Sequence, residues 1–335
     1  MPRKQNAVSI MDVASRAQVS TATVSRVLNG KGNVDPALAA AVRQAVRETG
    51  YTPNITGRAL RRQVSDVWAA IVPDIENPFF TAVVAALESV AISNGYSLML
   101  FNTNERLDQE RRYVEAVVSQ RMAGVVLAVS SERDSDISPI TSAGIPLVLI
   151  DRRLRGYLGD AVFVDNLTAG RQAAKHLIAQ GFTDIACIAG PEDVSTTEDR
   201  LSGLREELEA AGIGLRPEWV RRSNLRFEGG EIALRSLVSN DPVPKAVYVT
   251  NGPITAGAFR AAQQLEIEIP ATLGIVGTDD DQWTRMVAPA VTVIAQPTAR
   301  IGKLAGECLV ARSNDPIGAG QQITLAPSLL ARDSS

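Results

Sequence analysis

Residues 9–30 read SIMDVASRAQVSTATVSRVLNG, and this stretch predicts two short helices joined by a tight turn. Ser9, followed three residues later by Asp12, forms a capping pattern that begins a helix, and apolar residues then recur at helical spacing. Ser20 is placed to begin a second helix over residues 21–28, which Asn29-Gly30 ends.

A third helix follows the same stretch. Asp35-Pro36 is a strong helix start, since Asp caps the first turn and Pro fits its first position, and Gly50 ends the helix. Two short helices, a tight turn and a third helix are typical of an all-α helix-turn-helix module.

Charge is distributed unevenly along the chain. The 335 residues hold 34 Lys+Arg and 37 Asp+Glu, but residues 1–63 hold ten Lys and Arg against three Asp and Glu. A basic end joined to an acidic body favours a module that binds a polyanion such as nucleic acid.

The second helix carries side chains suited to reading DNA. In such modules its N-terminal residues face base edges in the major groove. Thr21 and Ala22 can contact a thymine methyl group, and Arg26, about one turn on, can bind guanine through two hydrogen bonds worth about 1–3 kcal/mol of discrimination. Side chains suited to phosphate contacts, which set register without reading sequence, are Ser20, Thr23, Ser25 and Asn29.

The run SIMDVASRAQVSTATVSRVLNGKGNVDPALAAAVRQAVRETGYTPNITGRAL resembles the DNA-binding head of the LacI/GalR family of bacterial regulators, and later motifs match in order along the chain. The resemblance implies a helix-turn-helix domain over 1–52 and a hinge over 53–63 that becomes helical on operator DNA. Asn54 and Leu60 would lie at the minor groove, where an apolar wedge kinks the duplex. Gly57, where the family commonly has alanine, predicts a hinge that is less ordered without DNA, because Gly costs a helix about 1 kcal/mol.

After residue 63, apolar runs of strand length alternate with helical segments, which predicts parallel sheets in a two-lobed α/β core over 64–335. This body resembles the periplasmic-binding-protein-like core of the same family. The resemblance implies one lobe over about 66–162 and 294–324, and a second over about 163–293 and 325–335. A ligand would bind between the lobes, at the carboxyl ends of the strands.

Polar side chains that follow predicted strands form the candidate effector site. The resemblance implies effector-binding roles for Asp151, Arg200, Asn251, Asp279 and Gln296. Asn77, Phe79 and Phe80 belong to an Asn-Pro-Phe-Phe element that lines the pocket in the family, and Trp283 is placed to wall the cleft. This mixture suits a polyhydroxylated ligand such as a sugar or sugar derivative, although an arginine also pairs with a carboxylate or phosphate.

Three departures from the family pattern bear on the effector. The chain has Asn251-Gly252 where the family usually has Asn-Asp, and Gly277-Thr278-Asp279 lacks the usual aromatic residue. Before the third strand it has Ala123-Gly124 in place of Asp-Gly. These departures predict an unusual effector.

Several classes of protein are disfavoured. One histidine, His176, and two separated cysteines give no metal-ligand spacing, and we expect no metal, cofactor or catalytic residue. No apolar run approaches the ~18 residues of a membrane span, which predicts a cytoplasmic protein. A transported-solute-binding protein would need a signal peptide and no basic head. A nicotinamide-dependent dehydrogenase would need Gly-x-Gly-x-x-Gly where residues 73–80 read PDIENPFF.

The chain is therefore predicted to be a transcriptional repressor whose affinity for double-stranded operator DNA changes when a small molecule binds between the lobes. A homodimer would place two recognition helices in major grooves about 34–36 Å apart on a pseudo-palindromic operator. The C-terminal segment shows no leucine heptad for a tetramer helix. The alternatives are a solute-binding protein and a corepressor-dependent regulator with a non-sugar effector.

Overall fold

The computed structural model describes residues 8–28, 34–51, 64–239 and 241–335. The chain divides into two compact units, Met1–Gln63 and Val64–Ser335. Within the described segments, no helix combines the length and apolar character needed to cross a bilayer.

The first unit contains the three predicted helices. They are α1 (Ile10–Ala17), α2 (Thr21–Leu28) and α3 (Pro36–Thr49). Each helix contributes a fully buried valine, Val13, Val24 and Val42, to one small core. The three helices therefore pack against one another through their apolar faces.

Local capping explains where these helices begin. The Asp12 N–H donates to Ser9 Oγ, and the Ser9 N–H donates to the Asp12 carboxylate at 2.8 Å, which completes the predicted capping box. Ser20 Oγ accepts the Thr23 N–H at 3.1 Å at the start of α2. The Asp35 carboxylate accepts the backbone N–H two residues on at 2.7 Å, at the start of α3.

The second unit contains two six-stranded sheets, each in its own lobe. The first sheet has the order β11-β5-β4-β3-β1-β2, and the second has the order β12-β10-β9-β8-β6-β7. The strands are β1 (Val67–Val72), β2 (Ser97–Asn102), β3 (Gly124–Leu127), β4 (Leu147–Ile150), β5 (Asp160–Val164), β6 (Ile185–Ala189), β7 (Val220–Arg222), β8 (Ala246–Val249), β9 (Gly274–Thr278), β10 (Thr292–Ala295), β11 (Gln322–Leu325) and β12 (Ser328–Leu330).

Helices cover both faces of each sheet. In the first lobe they are α4 (Pro78–Ser93), α5 (Leu107–Ser119), α6 (Ser138–Ser142) and α12 (Thr298–Asn314). In the second lobe they are α7 (Asn166–Ala179), α8 (Ser195–Ala210), α9 (Phe227–Val238), α10 (Gly252–Gln264) and α11 (Trp283–Met286). Because both faces are covered, the inner strands are continuous apolar runs, as in β1, whose side chains are buried from Trp68 to Val72.

Parallel pairing dominates both sheets, as predicted. The exception among the described pairs is β12, which lies antiparallel to β10. Apolar clusters lie on the two faces of each sheet, which gives every lobe its own core.

Three segments of chain cross between the lobes, after β5, β10 and β11. The predicted lobe boundaries at 162/163, 293/294 and 324/325 each cut a strand. The structure corrects them, because β5 and β11 stay paired with each other as far as Val164 and Leu325, and all of β10 belongs to the second sheet. The crossings therefore lie near Asp165, Gln296 and residues 326–327.

Candidate functional site

A narrow cavity lies between the lobes of the second unit, beyond the carboxyl ends of strands from both sheets. Its lining residues are Asp74, Asn77, Phe79, Phe80, Glu105, Asp151, Arg152, Thr196, Arg200, Leu225, Asn251, Asp279 and Gln296. Eight of the nine side chains predicted to bind an effector thus line one cavity.

Trp283 lies elsewhere, contrary to its predicted place in the cleft. Its ring packs on Phe259 with centroids 5.8 Å apart, against the apolar core of the second lobe. The turn after β9 directs the Asp279 carboxylate to the cavity, while the indole packs against apolar side chains of its own lobe.

Asn77 and the two phenylalanines form the first-lobe wall of the cavity. Asn77 Oδ1 accepts the Phe79 N–H at 3.0 Å and caps α4, so the side chain has a structural role as well as a place in the lining. Phe79 and Phe80 meet edge to face at 5.0 Å and belong to the first-lobe core. They give the cavity a rigid apolar face.

Arg200 lies on α8 and is 3% exposed. Its Nε donates to Asn166 Oδ1 at 2.8 Å, and its Nη1 donates to the Thr250 carbonyl at 2.7 Å. No Asp or Glu in the described segments lies within ion-pair distance of it. The guanidinium is therefore held by neutral acceptors, and its charge is available to a ligand.

A close crossing of α7 and α8 positions Arg200. A Cβ on Gly170 would lie 1.9 Å from the Arg200 carbonyl oxygen, and a Cβ on Gly203 would lie 2.0 Å from the Leu167 carbonyl oxygen. Only glycine allows the two backbones to approach this closely. The position of Arg200 thus depends on residues that do not line the cavity.

Asp279, Gln296 and Asn251 form the second-lobe wall. Gln296 Nε2 donates to Asp279 Oδ1 at 2.7 Å, and the Gly252 N–H also donates to the Asp279 carboxylate. Burial raises the pKa of Asp279, while Arg200 and these hydrogen bonds act against the rise. Asn251 Oδ1 accepts a backbone N–H at 3.3 Å and caps α10.

The unusual glycine after Asn251 has a visible consequence. A Cβ on Gly252 would lie 3.0 Å from Asp279 Oδ2. The glycine therefore lets the Asp279 carboxylate lie directly against the N-terminus of α10, where backbone N–H groups stabilise negative charge.

Asp151 follows β4 in a left-handed backbone conformation, with φ 63°. Burial raises its pKa to about 6, although the charges of Arg152 and Arg200 oppose the rise. A largely buried carboxylate on a strained backbone at the end of a strand is typical of a functional position.

The structure adds Arg152 and Glu105 to the site, and neither residue is among those predicted from the sequence. Arg152 is 3% exposed and binds Glu105 through two hydrogen bonds, of 2.7 and 2.6 Å. Their positions in the sequence indicate the site nonetheless. Arg152 directly follows Asp151, and Glu105 comes three residues after β2, at the same edge of the sheet.

Polar contacts hold the lobes together on two sides of the cavity. Arg226, at the start of α9, lies 3.1 Å from Asp74 and 3.4 Å from Glu76, and it donates to Asn104. On the other side, Arg153 pairs with Asp199, and Glu132 accepts the Ser195 N–H at the start of α8 at 2.9 Å. These contacts join the two lobes beside the cavity.

The first unit presents the predicted DNA-reading side chains on one helix. Thr21, Ala22 and Arg26 are exposed on α2, while Val24 between them is buried. Arg16, by contrast, pairs with Glu48 at 2.8 Å. Within the described residues Arg26 forms no ion pair, so its guanidinium is accessible to an external partner.

Ser20, Thr23 and Ser25 also lie at α2. Ser20 Oγ and Thr23 Oγ1 are 3.0 Å apart, and Ser20 caps the helix, so these two hydroxyls already have structural partners. Asn29, Asn54 and Leu60, predicted to contact phosphate or the minor groove, lie outside the residues that the structure describes. In the described segments no group of His, Cys, Asp and Glu side chains is arranged to hold a metal ion.

Comparison with known proteins agrees with this architecture. The family model "Bacterial regulatory proteins, lacI family" matches residues 9–54, and a periplasmic binding protein-like domain matches residues 174–335. The ribose operon repressor of Haemophilus influenzae is 32% identical over 97% of this chain and 98% of its own length.

The chain belongs to the LacI family of bacterial regulatory proteins. The CytR repressor of Escherichia coli K12 is 32% identical over 90% of this chain and 88% of its own length. A solved complex of the transcriptional regulator CelR with cellobiose is 29% identical, with a TM-score of 0.75, and covers 98% of this chain and 100% of the CelR chain.

Membership of the LacI family determines the class of function. LacI-family proteins are transcriptional regulators rather than enzymes, so this chain is a DNA-binding regulator that responds to a ligand. Repressors of the family bind operator DNA and small-molecule effectors, and a dimer is typical of them.

Proposed function

We propose that this LacI-family chain is a repressor whose affinity for its operator changes when a sugar or sugar derivative binds in the cavity between the lobes. The observation that carries the proposal is the cavity itself, where charged and amide side chains from both lobes converge over an apolar floor formed by Phe79 and Phe80. Carboxylate, guanidinium and amide groups beside an aromatic surface suit a polyhydroxylated ring.

The ligand would act through the two lobes at once. Asp151 and Arg152 belong to the first lobe, whereas Arg200 and Asp279 belong to the second, so one bound molecule changes the free energy of lobe closure. Such coupling between a ligand site and a DNA site typically amounts to about 1–3 kcal/mol and is reciprocal. The ligand would then change operator affinity by the same factor by which the operator changes ligand affinity.

For DNA recognition we propose Thr21, Ala22 and Arg26 as the base-reading side chains. Ser20, Thr23, Ser25 and Asn29 are proposed as phosphate contacts, and Asn54 and Leu60 as minor-groove contacts. Exposure of the first three on one face of α2 supports the base-reading assignment.

The DNA assignment is tested by selecting duplexes from a random pool with the full chain and measuring affinities by fluorescence anisotropy. We expect a pseudo-palindromic consensus, and Arg26→Ala should weaken binding and relax the preference at one guanine by about 1–3 kcal/mol. Arg43→Ala, at an exposed arginine on α3, is the matched control and should leave the preference at every base unchanged. Equal loss across sequences for Arg26→Ala would make Arg26 a phosphate contact.

The effector assignment is tested by thermal-shift screening of neutral sugars, nucleosides, sugar acids and sugar phosphates. A ligand at 100 times its Kd stabilises the folded chain by about 2.7 kcal/mol. A hit should lose its effect in Arg200→Ala and should change operator affinity at saturation. Unchanged operator affinity would overturn the proposed coupling.

We also propose a homodimer that buries part of the first lobe. β2 is an edge strand of its sheet, and Met99 and Leu100 on it are 39% and 42% exposed, with Ile92 on the adjoining α4 65% exposed. An exposed edge with apolar side chains favours pairing with a second copy. Sedimentation should show a dimer that Leu100→Glu weakens and Ile317→Glu, at a residue 95% exposed, does not. A monomeric wild type would overturn this assignment.

A further inference from the structure

The helix α8 lacks a side-chain cap from its own segment, which the structure describes in full. It begins at Ser195, and the residue before it is Val194, whose side chain cannot accept a hydrogen bond. By contrast, α4, α7 and α10 are capped by Asn77, Asp165 and Asn251 of their own segments. The first backbone N–H groups of α8 therefore need an acceptor from elsewhere in the fold.

The acceptor for α8 comes from the first lobe. Glu132 Oε1, in the loop after β3, accepts the Ser195 N–H at 2.9 Å. A carboxylate at the N-terminus of a helix also interacts favourably with the partial positive charge of the helix dipole. Glu132 thus does for α8 what a Ser, Asp or Asn directly before a helix usually does, but it does so from the other lobe.

The loop that carries Glu132 is held in place within the first lobe. The Glu132 carbonyl accepts the Arg155 N–H at 2.9 Å, from the loop after β4. At the start of the Glu132 loop, the buried carboxylate of Glu110 accepts the Ser130 N–H at 2.6 Å. Because these bonds tie the loop to its own lobe, separation of the lobes would carry the Glu132 carboxylate away from Ser195.

The same end of α8 contributes to the cavity. Thr196 and Arg200, in the first two turns of the helix, line the cavity and are buried. Arg200 donates to Asn166 and to the Thr250 carbonyl, and both acceptors belong to the second lobe. The helix is therefore built into the second lobe, while the first backbone N–H of its cavity end is capped by the first lobe.

We propose that Glu132 is a positioning residue that links closure of the lobes to the order of α8, so that closing the lobes caps the helix and opening them uncaps it. A helix cap typically changes an equilibrium constant about fivefold, so Glu132 favours the closed arrangement by about that factor. The nearby pair of Arg153 and Asp199 contributes less, because its side chains are 57% and 32% exposed and water screens their attraction. The inference rests on the proposed function in one respect, since Glu132 affects operator affinity only if lobe closure does.

Closure is measured in the full chain, without ligand or DNA, as the distance between two spin labels in a pulsed electron paramagnetic resonance experiment. Ser119→Cys on α5 and Lys175→Cys on α7 place exposed labels on the first and second lobes, and both native cysteines are buried. Dilution of the labelled chain into unlabelled chain restricts the measured distances to those within one chain. The distance distribution then gives the ratio of separated to closed lobes.

Glu132→Ala should raise the ratio of separated to closed lobes about fivefold. It should also speed amide hydrogen exchange in the first turn of α8, because the Ser195 N–H loses its acceptor. Glu192→Ala is the matched control, since this carboxylate is 83% exposed and lies on the same lobe as α8. It should leave both the distances and the exchange unchanged.

A second substitution separates the proposed link from a purely structural cap. The backbone of Val194 is already extended, with φ −104° and ψ 104°, as a capping residue requires. Val194→Thr therefore supplies a hydroxyl that caps α8 whether the lobes are closed or separated. In the double variant Glu132→Ala/Val194→Thr, amide exchange in the first turn should return towards the wild-type rate, while the label distances stay shifted.

Two results would overturn the inference. One is unchanged label distances in Glu132→Ala, and the other is a return of the distances to those of the wild type in the double variant. If Glu132→Ala fails to fold, Glu132→Asp should give the same shift, because its carboxylate is one methylene shorter and cannot keep the hydrogen bond to Ser195. Operator affinity of the same variants tests the proposed function separately, since shifted distances with unchanged affinity would leave the cap in place and reject the coupling of closure to DNA.

Discussion

Replacing Asp151 by Asn should stabilise the fold, because Asp151 is a largely buried carboxylate, 11% exposed, without a hydrogen-bonded cation. Its pKa rises from an ordinary 3.8 to about 6, and burial is the main cause. Each unit of pKa shift corresponds to about 1.4 kcal/mol. Ionised Asp151 therefore destabilises the folded state by about 3 kcal/mol relative to the neutral acid. Asn has the shape of that neutral acid and also tolerates the left-handed backbone at this position.

The effect has a definite dependence on pH. Because the folded state binds the proton more tightly than the unfolded state, the stability of the wild type falls as pH rises from about 4 to about 6. The free energy of unfolding of Asp151→Asn should therefore exceed that of the wild type by about 3 kcal/mol at pH 8. The difference should be about half as large at pH 5 and small below pH 4.

Urea unfolding followed by circular dichroism, at one protein concentration and at pH 8 and pH 5, measures the stability difference between variant and wild type and its change with pH. Asp193→Asn, at an exposed position in the loop before α8, is the matched control and should match the wild type at both pH values. An Asp151→Asn variant that is no more stable than the wild type at pH 8, or a gain that does not shrink at pH 5, would refute the reasoning.

Three further outcomes follow from the packing. Gly203→Ala forces a Cβ to within 2.0 Å of the Leu167 carbonyl oxygen, so urea unfolding should show a loss of roughly 1–3 kcal/mol, and no loss would contradict the close crossing of α7 and α8. Arg226→Gln removes ion pairs at the mouth of the cavity, and a bound ligand should then dissociate several-fold faster in stopped-flow experiments, while unchanged kinetics would deny these pairs a role in closure. Asp35→Ala removes the cap on the Ala37 N–H, which should cost α3 about 1 kcal/mol, read from faster amide exchange in its first turn, and unchanged exchange would show that the cap is not needed.

Asp151 combines a cost to the stability of the fold with a place in the lining of the cavity. Sites that bind ligands commonly retain such destabilising groups.

The sequence by itself determined the helices of the head and the alternation of strands and helices in the core. Ser9 with Asp12, Ser20 with Thr23, and Asp35 with the first turn of α3 are contacts within three residues, so their spacing is visible in the chain. The rule that ligand residues follow parallel strands predicted where Asp151 and Asp279 lie, because all carboxyl ends of such a sheet meet at one edge.

Only the tertiary structure decided which of these side chains meet and what pairs with them. Arg152 binds Glu105 across 47 residues of sequence, and Arg226 reaches Glu76 across 150. Neither pairing leaves a local pattern, since each depends on how strands are ordered in the sheets and how the lobes close. Trp283 shows the same limit, because the direction in which a short turn leaves its strand determines whether a side chain enters the cleft or packs into its own lobe.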